Sequence, residues 1–142
     1  MPTHSLLIEA EPAVCFDEIT DYETFPEWQA AVKEVDVLSR DSAGFGRDVW
    51  FAIDARVRQV SYTLRYSYER PHLITWDYVG GDVKSVDGEY LFEDQDDGTT
   101  RATYSLEIDP GVWLPGPVKR MLTEQVMKRS VEDLKRRVET DS

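Results

Sequence analysis

From Lys33 to Ile108 the chain alternates polar and apolar side chains with a period of two, broken at short intervals by Gly, Pro and Asp. Each alternating run predicts a strand with one buried face, and each break predicts a turn. The runs are Lys33 to Arg40, Arg47 to Asp54, Val57 to Tyr68, Leu73 to Val79, Val83 to Glu93 and Thr99 to Ile108. Gly44-Phe45-Gly46, Arg70-Pro71-His72, Gly80-Gly81-Asp82 and Asp96-Asp97-Gly98 supply the turns between them. Connections this short favour an antiparallel meander over parallel crossovers. One face of the strands collects Tyr62, Leu64, Tyr66, Ile74, Trp76, Tyr78, Tyr90, Phe92, Tyr104 and Leu106.

The flanking segments change the period. Ser5 to Glu9 reads as a short apolar strand, Ala10 to Asp21 as an amphipathic helix with Pro12 tolerated in its first turn, and Tyr22 to Gln29 as a second helical piece. Pro26 lacks an N–H and disfavours the α region at Phe25, so the first helix is expected to stop near Asp21, with Thr24 and Glu27 capping a new turn. After Asp109-Pro110-Gly111, the sequence Leu114-Pro115-Gly116-Pro117 leads into a helix over Val118 to Glu139. Its Val118, Met121, Leu122, Val126, Val131, Leu134 and Val138 predict an apolar stripe toward the sheet, with Gln125 and Arg129 on or beside it. The class is α+β. At 142 residues the chain fits one domain, 1–142, able to bury roughly 70% of the surface its unfolded form exposes.

Charge narrows the partners. The chain carries a net −12, which argues against direct contact with nucleic acid, where phosphate binding needs clustered cations. The balance is uneven: residues 1–110 hold 9 basic and 23 acidic side chains, residues 111–142 hold 7 and 5. The basic excess therefore belongs to the last helix, where cations suit the helix C-terminus or meet an acidic partner or membrane surface. The single Cys15 excludes an intrachain disulfide and suits a reducing compartment. No run of apolar residues is long enough for a transmembrane segment, and Met1 to Ala10 lacks a signal-peptide pattern, so a cytoplasmic location is expected.

Catalytic chemistry is sparse. His4 lies near the first strand and His72 in a Pro-containing turn, so both are expected to face solvent or a turn rather than an interior. Two His and one Cys give no metal-ligand spacing, and no Gly-rich phosphate loop is present; no cofactor and no metal is expected. Cys15 reads as a small buried hydrophobe. Asp17, Glu18, Asp21, Glu23 and Glu27 read as a solvated acidic face around the opening helices.

Several segments carry a family likeness. VCFDEITDYETFPEW over 14–28, Gly81-Asp82-Val83-Lys84 with Gly88-Glu89-Tyr90-Leu91-Phe92, Asp97-Gly98-Thr99-Thr100-Arg101-Ala102-Thr103-Tyr104, and LPGPVKRML over 114–122 resemble the START-like (SRPBCC) superfamily. Within it they resemble the polyketide cyclase/dehydrase and coenzyme Q-binding group. The resemblance implies a helix-grip fold: a curved antiparallel sheet of six or seven strands, two short helices after the first strand, and a long C-terminal helix on the concave face. It also implies a cavity between sheet and helix. Members include aromatase/cyclases, quinone-binding proteins, lipid binders and toxin-like proteins associated with ribosomes, so the contents of the cavity stay open.

The residues expected to line such a cavity are Tyr62, Tyr66, Trp76, Tyr78, Tyr90, Phe92 and Tyr104 from the sheet, Met121, Gln125 and Arg129 from the helix, and Phe25 and Trp28 at its mouth. Rings on one strand face also fill ordinary cores. Several phenols on one face must each find a partner, however, which a hydrated or occupied cavity provides more readily than a dry core. Burying about 300 Å² of apolar ligand at roughly 25 cal/mol per Å² yields on the order of 7 kcal/mol, against a binding cost of about 4–15 kcal/mol. A large apolar or flat aromatic ligand fits this balance: a quinone, isoprenoid, acyl chain or polyketide fragment. The expected function is a binding or carrier protein for a hydrophobic small molecule. The alternatives are a polyketide aromatase/cyclase or dehydrase, with Tyr hydroxyls and Arg129 as donors, and an interaction module that associates with ribosomes. A homodimer stays open.

Overall fold

The computed structural model describes residues 2–54 and 59–140. Strand β1 (Thr3–Ile8) is followed by helix α1 (Pro12–Ile19), a 3-10 turn (Tyr22–Thr24) and helix α2 (Phe25–Trp28). Strands β2 (Val32–Arg40), β3 (Gly46–Asp54), β4 (Gln59–Glu69), β5 (Leu73–Gly81), β6 (Ser85–Asp94) and β7 (Thr100–Asp109) come next, and helix α3 (Gly116–Thr140) ends the fold. Val57, expected to open the longest strand, lies outside the described residues. The seven strands form one antiparallel sheet in the order β1-β7-β6-β5-β4-β3-β2. Short turns make neighbours of consecutive strands, and β1 closes the far edge by pairing with β7. Register shifts at Val32/Glu34, Val37/Ser39 and Thr63/Leu64 mark bulges, which add twist and curl the sheet.

The helix-grip layout is therefore present. Helix α3, about 37 Å long at 1.5 Å per residue, lies mainly across β1 and β7, with further contacts to α1 and α2. It also covers the edge of β1: the Lys135 ammonium donates to the Leu7 carbonyl at 2.9 Å, and the Glu9 N–H donates to the Glu139 carboxylate at 2.9 Å. These contacts satisfy backbone groups that a bare edge strand would expose.

Two local expectations are corrected. The chain breaks at Asp21 (φ −85°, ψ 68°), while Phe25 is helical (φ −51°, ψ −41°) although Pro26 follows it. Pro26 sits in the first turn of α2, where its missing N–H has no partner to lose. Thr24 does not cap that turn; its hydroxyl donates to the Asp21 carbonyl and accepts from Trp28 Nε1 at 2.9 Å.

The second correction concerns α3. Val118, Met121, Leu122 and Val126 are exposed, as are Gln125 and Arg129. Val131, Leu134 and Val138 face the sheet as expected, and Thr123 and Met127 take the buried positions in the turns before them. In the first three turns the large apolar residues lie on the side away from the sheet, and Thr123 is the buried residue. Thr123 can occupy the buried side because its hydroxyl bonds back to the Lys119 carbonyl at 3.0 Å.

Candidate functional site

Cross-strand pairing lines up the inner-face residues in rows. Leu64 stands opposite both Val49 and Tyr78; Tyr66, Trp76, Gly88 and Leu106 form the next row; Tyr68, Ile74, Tyr90, Tyr104 and His4 the one after. Directly opposed residues share a face. His4 therefore points inward with Tyr104, while Ser5 and Thr103 bond to each other at 2.8 Å on the outer face. This overturns the expectation that His4 faces away from the interior. The signal lies in β1, where His4, Leu6 and Ile8 alternate with Thr3, Ser5 and Leu7; the strand expected over Ser5 to Glu9 begins one residue too late to include His4.

The rings of this face touch in sequence. Tyr22 meets Tyr66 at 4.7 Å between centroids, Tyr66 meets Trp76 at 5.7 Å, Trp76 meets Tyr104 edge-on at 5.5 Å, and Tyr104 meets Tyr90 at 4.4 Å. Phe92 stacks on Tyr90 at 5.6 Å, and Phe51 joins Tyr62 at 6.1 Å. Tilted and edge-to-face pairs such as these stabilise beyond the area they bury. Trp76 reaches across the sheet because Gly88 leaves it room: a Cβ on Gly88 would lie 2.8 Å from Trp76 Cζ2.

The polar atoms divide into satisfied and unsatisfied sets. Tyr22 donates to Tyr68 at 2.8 Å, and Tyr68 donates to the Gly46 carbonyl at 2.5 Å. Tyr78 donates to the Val83 carbonyl, and Tyr90 shares a hydrogen bond with Ser130 Oγ at 2.6 Å. By contrast, Trp76 Nε1 and His4 Nε2 are buried with no partner among the described residues. The hydroxyls of Tyr62 and Tyr104 also find no protein partner among those residues. Burial pushes the phenols of Tyr62, Tyr66, Tyr90 and Tyr104 above the ordinary tyrosine range, and neighbouring phenols add to the rise at Tyr66 and Tyr104. They are hydrogen-bond donors near neutral pH, and none is a base.

Tyr62, Tyr66 and Tyr78 are nevertheless only partly buried. Their register with Leu64 and Trp76 places them on the inner face of β4 and β5, away from β1 and β7, where α3 mainly packs. Two open pockets of about 180 and 320 Å³ border the start of α3. The first is lined by residues including Pro2, Leu106, Ile108 and Thr123, at the end of the β1–β7 pair from which His4 points inward.

Residues 3–139 match the model of the polyketide cyclase / dehydrase and lipid transport family. The chain belongs to this family. A START superfamily protein from Mycobacterium smegmatis superposes with a TM-score of 0.93 at 16% identity, over 99% of this chain and 98% of that one. The Zhui aromatase/cyclase from Streptomyces sp. R1128 superposes at 0.80 with 14% identity, over 97% and 92%. The di-domain ARO/CYC StfQ of the steffimycin biosynthetic pathway superposes at 0.77 with 13% identity, over 98% of this chain and 44% of that chain. Likeness at this identity establishes the START-like helix-grip fold. No curated protein sequence matches the chain.

Within this family member the expected lining residues separate into three groups. Tyr62, Tyr66, Trp76, Tyr78, Tyr90, Phe92 and Tyr104 are brought together on the inner face. Phe25 is buried against Tyr22 and Phe51, and Trp28 packs on Phe25 at 5.2 Å beneath the Arg137 guanidinium at 5.8 Å. Met121, Gln125 and Arg129 are not in the group; Ser130 and Met127 take the helix positions facing the rings.

The opening helices are held by ion pairs. Asp17 receives a bidentate pair from Arg70 at 3.0 and 2.8 Å, Glu18 pairs with Arg137 at 2.7 Å, and Glu23 with Arg40 at 2.6 Å. Three acids read from sequence as a solvated face thus tie α1 and the 3-10 turn to the sheet and to α3. Asp133 adds a fourth tie, accepting the Ala30 N–H at 3.1 Å. No helix among the described residues is long and apolar enough to cross a membrane.

Proposed function

We propose that the protein binds a flat hydrophobic molecule bearing at least one oxygen function on the concave aromatic face, as a binding or carrier protein. The observation that carries this reading is the pair of buried, unpartnered atoms Trp76 Nε1 and His4 Nε2 on either side of Tyr104. A buried donor without a partner costs about 1–3 kcal/mol, a cost that a bound carbonyl or hydroxyl would remove. The adjoining rings of Tyr62, Tyr66 and Tyr104 supply apolar faces for stacking. The indole N–H donates to a ligand oxygen, and the Tyr62 and Tyr104 hydroxyls offer further donors. Family membership supports a hydrophobic cargo.

A second reading, an aromatase/cyclase, is favoured by one feature: His4 places the single imidazole of the inner face beside phenols that can polarise a carbonyl. Such a site would fold a reactive chain by shape and exclusion of water.

Thermal denaturation with 9-fluorenone and with fluorene, its analogue lacking the carbonyl, tests the proposal. Both are expected to raise the melting temperature, fluorenone more. If neither raises it, the interior is a closed core and the binding reading fails.

A further inference from the structure

The molecule also carries an apolar surface that the fold leaves uncovered. Trp113 is 86% exposed, Val112 62% and Met121 53%, and Val118, Leu122 and Val126 are exposed beside them. Six large apolar side chains thus stand in solvent within residues 112–126. Single exposed apolar residues are ordinary, but a contiguous group marks a binding surface. The group has a geometric basis in α3. Thr123 and Met127 face the sheet, while Val118, Met121, Leu122 and Val126 fall on the far side of the same turns, and Val112 and Trp113, in the loop that leads into the helix, border the same pocket as Lys119.

Charge selects the occupant. Between residues 111 and 130 stand Lys119, Arg120, Lys128 and Arg129 against Glu124, a net +3 in a chain of net −12. The four cations are exposed, and none forms an ion pair among the described residues. At 100° per residue, Lys119 and Lys128 flank the apolar strip on opposite sides and Arg129 continues its line one turn on. A second copy of the chain would bring these like charges together. We infer that this face docks on an anionic lipid bilayer, with Trp113 and the outer apolar residues of α3 entering the headgroup layer and Lys119, Lys128 and Arg129 meeting lipid phosphates. The acidic remainder of the surface is repelled by the same bilayer, so the start of α3 turns toward it. The inference does not require the interior to hold a ligand.

Co-sedimentation of the full chain with vesicles of phosphatidylcholine alone, and of equal parts phosphatidylcholine and phosphatidylglycerol, tests it. Binding is expected to the anionic vesicles only, to weaken as salt rises, and to fall about tenfold when Trp113→Ser and Leu122→Ser are combined. These residues are exposed, so the variant should keep the wild-type circular dichroism and melting temperature. Failure of the folded wild type to sediment with anionic vesicles at low salt overturns the inference. Sedimentation lost on reversing Lys119 and Lys128 to Glu but unchanged in the Trp113/Leu122 variant also overturns it, since a purely electrostatic face suits a soluble acidic partner. A vesicle-free dimer that dissociates in the Trp113/Leu122 variant would assign the patch to a second copy and overturn it as well.

Discussion

Trp76 lies across Gly88, its partner in the β5–β6 register, so closely that a Cβ there would sit 2.8 Å from the indole Cζ2 and 2.4 Å from the Ser105 carbonyl oxygen. Gly88→Ala must therefore displace either the ring or the β6–β7 backbone. We expect it to lower stability by about 1–3 kcal/mol, measured by urea denaturation. An unchanged midpoint would show that the indole moves aside freely and is not fixed by its neighbours.

The hydrogen bond between Tyr90 and Ser130 Oγ, 2.6 Å long, links the sheet to α3. A double-mutant cycle of Tyr90→Phe and Ser130→Ala is expected to return a coupling of about 1 kcal/mol. Additive losses would mean that the two hydroxyls are satisfied separately in solution.

Much of this arrangement was legible in the sequence. The strands were readable because each exposes one face, so alternation survived over Tyr62 to Tyr68 and Thr100 to Ile108. Helix α3 was readable in length and, through Val131, Leu134 and Val138, in the orientation of its last turns, but not in that of its first. Ranking by hydrophobicity selected Val118, Met121, Leu122 and Val126 as its inner stripe, whereas the buried side begins with Thr123, whose hydroxyl is masked by its own backbone bond. Pairing across sequence was not readable either: nothing local announces that His4 lies opposite Tyr104, or that Asp17 meets Arg70.

The tie between α3 and the opening helices should be visible at one amide. Asp133 is buried and accepts the Ala30 N–H at 3.1 Å as well as the Arg136 guanidinium at 2.9 Å. Asp133→Ala is expected to speed hydrogen exchange at Ala30 and to destabilise by about 1 kcal/mol. Exchange at the wild-type rate would show that the amide is protected by something other than this carboxylate.

Alkaline pH should weaken the fold. Burial raises the phenols of Tyr22, Tyr62, Tyr66, Tyr68, Tyr90 and Tyr104, and it raises the Cys15 thiol from 9.0 to about 11. A folded-state value above the unfolded one contributes stability below the unfolded value and loses it as pH rises toward the folded value. The thiol contribution is thus lost from pH 9.0 to about 11, and the phenol contributions from pH 10.0 upward. Each ionising group removes about 1.4 kcal/mol per pH unit in that window. Tyrosinate absorbance should appear together with the loss of near-ultraviolet circular dichroism. Most phenols titrating near pH 10 while the near-ultraviolet signal persists would contradict the burial described.

The central claim is that the aromatic inner face receives a flat, oxygen-bearing guest against Trp76. With Trp28→Phe, Trp50→Phe and Trp113→Phe combined, Trp76 is the sole indole fluorophore of the chain. Titration of this folded variant with 9-fluorenone is expected to quench its emission saturably at one molecule per chain. Quenching that rises linearly without saturation, as for tryptophan free in solution, would contradict the account.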